Sequence, residues 1–189
     1  MNLLLVRHGE IPSNINKVYA GRSAEGLTPE GICQAQDAAE KLKMLEVKAI
    51  YSSPIQRAVQ TAQIISKRTG MDFQVEAAFR EMELGPWEGL SEDEIAKTFP
   101  EEWKTWNSRP DKLRLPGRET LEQLLGRVMG GIRSIYQNAG DGKTVIVTHV
   151  AVIRVLLLWS AKKGLNLYKT IHVPNAEIFE ISVAENVFP

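Results

Sequence analysis

Four short apolar runs, each followed by a turn and a longer helical stretch, constrain this chain more than any other feature. Residues 2–6, 49–52, 72–75 and 144–148 read as strands and are apolar with little alternation. Unalternated apolar strands are expected where a parallel sheet is covered on both faces. The intervening helices announce their starts. Thr28 precedes Pro29, a capping hydroxyl before a proline whose missing N–H costs nothing at the first helical position. Ser53-Pro54-Ile55-Gln56, Ser91–Glu94 and Thr120–Gln123 all fit a capping box, and Gly70 stands where the second helix should stop. A helix over 120–138 then places Leu121, Leu124, Leu125 and Val128 at helical spacing.

Strands alternating with helices predict an α/β fold: a three-layer α/β/α sandwich with right-handed crossovers and a mostly parallel central sheet. A last run, 176–181, adds an edge strand, read as antiparallel. The stretch 89–117 departs from the pattern; with Trp103, Trp106, Pro100, Pro110 and Pro116 it reads as an inserted helical cap. The whole of 1–189 then forms one domain.

Composition excludes several classes of function. The 23 basic residues balance 23 acidic ones, which argues against a protein devoted to binding nucleic acid or a membrane surface. One cysteine, Cys33, leaves no disulfide framework or cysteine-rich metal site, and on the helix after Thr28 it reads as buried and inert. His8, His149 and His172 lack zinc-ligand spacing, so zinc is unsupported, and no sequence motif calls for a cofactor. The N-terminus reaches Arg7 too soon for a signal peptide, and the apolar run 150–159 contains Arg154 and is about half a membrane span. A cytoplasmic protein, monomer or homodimer, is the expectation. Gly142-Lys143-Thr144 is not a P-loop, because Gln137 replaces the required glycine and the tripeptide enters a strand.

In open α/β sheets ligands bind beyond the carboxyl ends of the strands. After the first strand come Arg7, His8, Gly9 and Glu10; after the second, Ser52-Ser53-Pro54 and then Arg57; after the third, Arg80, Glu81 and Glu83; after the fourth, His149. Taken singly, each has an ordinary structural reading, Arg57 and the glutamates as solvated residues and His149 as a satisfied core histidine. Their gathering at one sheet edge is what points to chemistry. The inventory suits phosphoryl transfer: imidazole is a good nucleophile near neutral pH, guanidinium groups bind phosphoryl oxygens bidentately, and a carboxylic acid can protonate the leaving oxygen and then activate water.

These residues also carry a resemblance. Leu4-Leu5-Val6-Arg7-His8-Gly9-Glu10 with Asn14, then Gly21, Leu27-Thr28-Pro29-Glu30-Gly31, Tyr51-Ser52-Ser53-Pro54 with Arg57, Arg80-Glu81, Gly85, Trp87 and the run 145–149 are similar, in order, to the histidine phosphatase superfamily, in its phosphoglycerate-mutase-like branch. The resemblance implies His8 as the phosphorylated nucleophile. It implies Arg7, Arg57 and His149 around the phosphoryl oxygens, assisted by Asn14 and by backbone near Gly21. Glu81 would be the proton donor and later the base, because it directly follows Arg80, with Glu83 the fallback. Glu10 would orient the Arg7–His8 turn. The implied reaction is metal-independent hydrolysis of a small phosphorylated metabolite, with mutase activity or α-ribazole 5′-phosphate hydrolysis as alternatives. A mutase would want more basic residues in the cap than Lys104, Arg109, Lys112, Arg114 and Arg118. Pro116-Gly117-Arg118-Glu119-Thr120 departs from the Gly-Gly-Glu-Ser of many relatives, leaving Arg118 without an assigned role. His172 reads first as a loop or subunit contact and second as pocket lining; Trp103 and Trp106 read first as packing of the cap and second as a shield over the site or a contact to an organic leaving group.

Overall fold

In the computed structural model, residues 1–138 and 142–184 are described, the latter without residues 185–189. The elements in order are β1 (Asn2–Arg7), α1 (Pro12–Ile15), α2 (Pro29–Lys43), β2 (Val47–Ser52), α3 (Gln56–Thr69), β3 (Phe73–Val75), α4 (Glu92–Thr98), α5 (Pro100–Ser108), α6 (Leu121–Asn138), β4 (Lys143–Thr148), α7 (Val150–Ser160) and β5 (Ile178–Ser182). They build one five-stranded sheet in the order β3-β2-β4-β1-β5. The first four strands run parallel and β5 is antiparallel on the β1 edge, so the last strand turns back on the sheet.

The direction of travel explains the layers. From β1 the chain moves outward to β2 and β3, and right-handed crossovers put α2 and α3 on one face; the return to β4 puts α6 on the other. Side-chain alternation follows. Leu4, Val6, Val145 and Val147 pack with Ala39 and Leu42 of α2 and Ala58, Ala62 and Ile65 of α3. Leu3, Leu5 and Ile146 face Leu124, Val128 and Ile132 of α6 and the apolar body of α7. Both faces of the central strands are therefore dry, which is why they carry apolar residues at successive positions. β3 is different: as the edge strand it leaves Val75 55% exposed.

Several local expectations hold in detail. The Thr28 hydroxyl accepts from Gly31 N–H at 2.9 Å, Ser91 and Glu94 form the reciprocal box, and Thr120 and Gln123 exchange the equivalent bonds at 2.9 and 3.2 Å. Gly70 ends α3 at φ 74°. Two expectations fail. Ser53 does not cap α3: the helix starts at Gln56 from Ile55, and the Ser53 hydroxyl turns instead toward His149. Cys33 is exposed. The core face of α2 is Gly31, Ala35, Ala38 and Ala39, and two residues past Gly31 a helix has turned about 200° away.

The inserted cap comprises the short 3₁₀ turn Gly85–Trp87, then α4, α5 and a second turn at Pro110–Lys112. Its two ends are tied where Leu84 bridges Arg118 and where Gly85 lies against Gly117. Gly85 has φ 58°, and a Cβ there would come within 2.7 Å of the Gly117 carbonyl carbon. No helix among the described residues is long and apolar enough to cross a membrane. Gly85→Ala should cost about 1–3 kcal/mol through the positive φ and the blocked approach. Urea titration checks this, and an unchanged midpoint would mean that the cap base is not held by this contact.

Candidate active site

The parallel register brings the loops to one place. Arg7 pairs with Thr148 and Ser52 with Val147, so β1, β2 and β4 end level with one another. Directly past those ends lie His8, Ser53 and His149. His8 is 3% exposed and its Nδ1 lies 2.8 Å from the Gly9 carbonyl, an acceptor only. That contact assigns the proton to Nδ1. The Nε2 lone pair is then free to accept, and Arg57 Nε donates to it at 3.2 Å. The imidazole is held as one neutral tautomer, its nucleophilic nitrogen toward the guanidinium.

Two close backbone approaches fix this loop. A Cβ on Gly9 would lie 2.2 Å from the Gly31 carbonyl oxygen, and one on Gly31 equally close to that of Glu10. Gly9 N–H also donates to Thr61 Oγ1 at 3.1 Å, tying the turn to α3. Glu10 accepts from the Thr28 hydroxyl at 2.9 Å and so pins the turn to the start of α2.

Arg57, in the first turn of α3 and 1% exposed, donates from Nη1 to Ser23 O at 3.0 Å and from Nη2 to Gly21 O at 2.5 Å. It thereby joins the Gly21–Ser23 loop to His8. Arg7 donates to the Val173 carbonyl at 2.6 Å. Asn14 Oδ1 accepts from Ile11 N–H and from Asn175 Nδ2, which leaves the Asn14 amide nitrogen to donate. His149 is wholly buried, its ring 5.3 Å from that of His8, with Nε2 2.7 Å from the Ser53 hydroxyl. Among the described residues its Nδ1 has no partner. Ser53 Oγ already accepts from Ile55 N–H at 3.2 Å, so its hydroxyl proton is directed to His149 Nε2 and the ring carries its own proton on Nδ1.

The glutamates separate sharply. Glu81 is 7% exposed, lines the cavity and accepts from the Met82 N–H at 2.8 Å. Glu83 points away, 54% exposed, in an ion pair with Arg22. The cavity holds about 860 Å³ and opens over Arg7, His8, Asn14, Gly21 and Glu81, with Arg57 and His149 supporting them from behind. Four of the five basic cap residues lie elsewhere. Arg109 and Lys112 pair with Asp111, Arg114 approaches Glu122, and Lys104 faces solvent.

Electrostatics matches the geometry. Burial, then the positive charges of Arg57 and Arg7, holds His8 well below the ordinary histidine range. Burial, His8 and the same arginines do so for His149. Arg7 is lowered to about 10, mainly by burial, with Glu81 opposing. Burial raises Glu81 above the usual carboxylate range, and the two arginines pull the other way. The result is two neutral imidazoles, two fixed cations and one carboxyl inclined to keep its proton.

Some cavity residues were not visible as site residues in the sequence. Arg154 lines the wall one turn into α7, its Nε on the Ile171 carbonyl at 2.8 Å; a charge inside an otherwise apolar helix was the signal. Asn175, Tyr168 and Lys169 lie beyond the last motif and carried none. For two residues with double readings the second also holds: His172 lines the cavity, and Trp106 both packs in the cap core and faces the cavity.

An α/β sheet that collects these groups at its switch edge belongs to an enzyme acting on a small anionic group. The comparisons narrow this. The chain belongs to the histidine phosphatase superfamily (branch 1), whose family model matches residues 3–188. Phosphoserine phosphatase 1 of Hydrogenobacter thermophilus is 29% identical over 169 residues, covering 89% of this chain and 79% of that one. YhfR of Bacillus stearothermophilus superposes with a TM-score of 0.92 at 26% identity, over 97% of this chain and 92% of that one. A mycobacterial glucosyl-3-phosphoglycerate phosphatase, solved with VO3, gives 0.88 at 26% identity, over 96% and 92%. The protein is a phosphoric monoester hydrolase.

The buried neutral histidines make stability pH-dependent. Their folded values lie below 6.5, so under that pH the unfolded chain binds more protons and stability falls as pH falls. Each contributes up to about 1.4 kcal/mol per pH unit within the window. Glu81, being raised, acts oppositely, losing stability as pH rises above 4.5 toward its folded value. Thermal midpoints from pH 7 to 5 should drop, and His149→Asn should flatten the drop. An equal slope in both proteins would contradict a neutral, buried His149.

Proposed function

We propose that the enzyme hydrolyses a small phosphate monoester without a metal, through a phosphohistidine at His8. The observation that carries this reading is the locked His8 tautomer, with its Nε2 lone pair toward Arg57 and the cavity. His8 Nε2 attacks phosphorus, forming an N–P bond while the bond from phosphorus to the leaving oxygen breaks. Glu81, protonated, gives its proton to that oxygen, releasing an alcohol. The carboxylate of Glu81 then takes a proton from water, whose oxygen attacks phosphorus. The N–P bond breaks with its electron pair returning to Nε2, and inorganic phosphate leaves.

Arg7 and Arg57 offset the charge on the equatorial oxygens, and Asn14 Nδ2, His149 Nδ1–H and backbone near Gly21 add donors. Buried arginines in a site of low dielectric supply the positive charge that other phosphatases take from metal ions. Because the cap's Arg109 and Lys112 are directed to Asp111 and its Arg114 to Glu122 of α6, they do not serve a bisphosphate in the cavity. This favours hydrolysis over mutase chemistry. The substrate is a soluble metabolite and the site needs one chain.

Wild type should turn over p-nitrophenyl phosphate in EDTA, and His8→Ala should abolish it. Glu81→Ala should lose roughly 10²–10⁴-fold on an alkyl phosphate, which needs a proton, and far less on p-nitrophenyl phosphate. Acid-labile, base-stable label on wild-type protein quenched during turnover identifies the intermediate. Turnover surviving in His8→Ala, or vanishing in EDTA and returning with a divalent cation, would sink the mechanism.

A further inference from the structure

Glu81 lies on a stretch with no strand or helix of its own, between the 3₁₀ turn Ala77–Phe79 and the cap. Its carboxyl accepts from the N–H of the next residue, Met82, at 2.8 Å, so the position of the carboxyl follows that of the main chain. Three side chains hold this main chain. Thr148, at the end of β4, donates its hydroxyl to the Phe79 carbonyl at 2.6 Å. Arg127 of α6 donates from Nη1 to the carbonyls of Ala78 and Arg80, at 2.7 and 3.0 Å. Its Nε and Nη2 make a forked ion pair with Glu119, at 2.8 and 2.7 Å. Glu119 in turn holds the other side of the acid. Its N–H donates to the Glu83 carbonyl at 2.9 Å, and its carboxylate accepts from the Glu83 N–H at 3.4 Å.

The pair therefore grips the chain directly before Glu81 and again two residues after it. Its base is rigid, because α6 packs on the sheet through Leu124, Val128 and Ile132. Both partners are largely buried. An ion pair so placed stabilises a fold little more than apolar residues of equal volume would. What apolar residues could not supply is a donor for two carbonyls and an acceptor for an N–H, all on the stretch that carries the acid. Neither Arg127 nor Glu119 lines the cavity, so neither touches a substrate held there. A proton donor, however, must stand within hydrogen-bond reach of the leaving oxygen, and a misplacement of about 1 Å can cost about 10²-fold in rate.

We propose that Arg127 and Glu119 are positioning residues for proton transfer: their ion pair fixes the main chain around Glu81 and thereby the distance from its carboxyl to the leaving oxygen. The proposal rests on the phosphatase reading, which makes Glu81 the acid, and deepens it. The pair has no part in holding the phosphoryl group, which falls to Arg7, Arg57 and His149.

The test reads kcat/KM, which covers the steps up to the phosphoenzyme, on two substrates. Glycerol 3-phosphate has a leaving oxygen that needs a proton, and p-nitrophenyl phosphate has one that does not. Arg127→Met combined with Glu119→Gln leaves no buried charge unpaired. It should lower kcat/KM roughly 10–100-fold for glycerol 3-phosphate and at most about threefold for p-nitrophenyl phosphate. Inhibition by inorganic phosphate should stay within about threefold, because the anion pocket is untouched. Arg127→Lys alone, a milder change, keeps the charge that reaches His149 but loses the fork, and should show the same selective loss at smaller size. In a Glu81→Ala background the double substitution should add less than about twofold, since the group it positions is gone. Equal losses on both substrates, weakened inhibition by phosphate, or full additivity with Glu81→Ala would overturn the proposal while leaving Glu81 as the acid. A Glu81→Ala protein with no selective loss on glycerol 3-phosphate would overturn the assignment of Glu81 and the positioning role with it, a result read without any change at Arg127 or Glu119.

Discussion

The in-register parallel pairing of β1, β4 and β2 is the constraint on which everything functional depends. Because Arg7 lies opposite Thr148 and Ser52 opposite Val147, three chain segments far apart in sequence leave the sheet side by side. A slip of one residue would reverse the side chains of a strand, exposing Leu4 and Val6 or Leu3 and Leu5 to the wrong helix layer. Dry packing on both faces thus fixes the register, and the register in turn places His8 beside His149. The core and the site are not separate achievements of this sequence.

What the sheet edge gathers is unfavourable in isolation. Arg7 and Arg57 are buried near each other, and two imidazoles lie where charging them would add to that repulsion. The backbone absorbs much of the cost, through the carbonyls of Val173, Gly21, Ser23 and Gly9. Carbonyl acceptors stabilise the arginines without neutralising them, so the cavity stays positive for a dianionic substrate. A ring of carboxylates would have satisfied the same donors and cancelled the field. Overall neutrality of the chain, with 23 charges of each sign, conceals this local excess.

Much of this was legible because local chemistry and position coincide. Arg7-His8 ends an apolar strand, Arg57 opens a helix behind a Ser-Pro turn, and Thr28, Ser91 and Thr120 announce helices that form where expected. Glu81 and Glu83 show the limit: the choice between them rested on the neighbouring Arg80, and only the fold reveals one inward and the other paired to Arg22. Ser53 was misread because a serine three residues before a helix looks the same whether it caps that helix or turns toward a histidine 96 residues away. Cys33 was misread because apolar neighbours do not reveal which way one helical position faces. Tyr168, Lys169 and Asn175 reach the cavity through a loop whose path is set by packing, with no periodicity to betray it.

The cap is joined to the core at its base, while the reacting groups stand at the strand ends. The groups at the strand ends are held by the register and serve any phosphate monoester. Arg118 stands at the base of the cap, where the chain leaves and rejoins the core at the Leu84 bridge and the Gly85–Gly117 contact. A residue there is rigidly tied to Glu81 through a few residues of backbone, yet its side chain points among cap aromatics free to vary in shape.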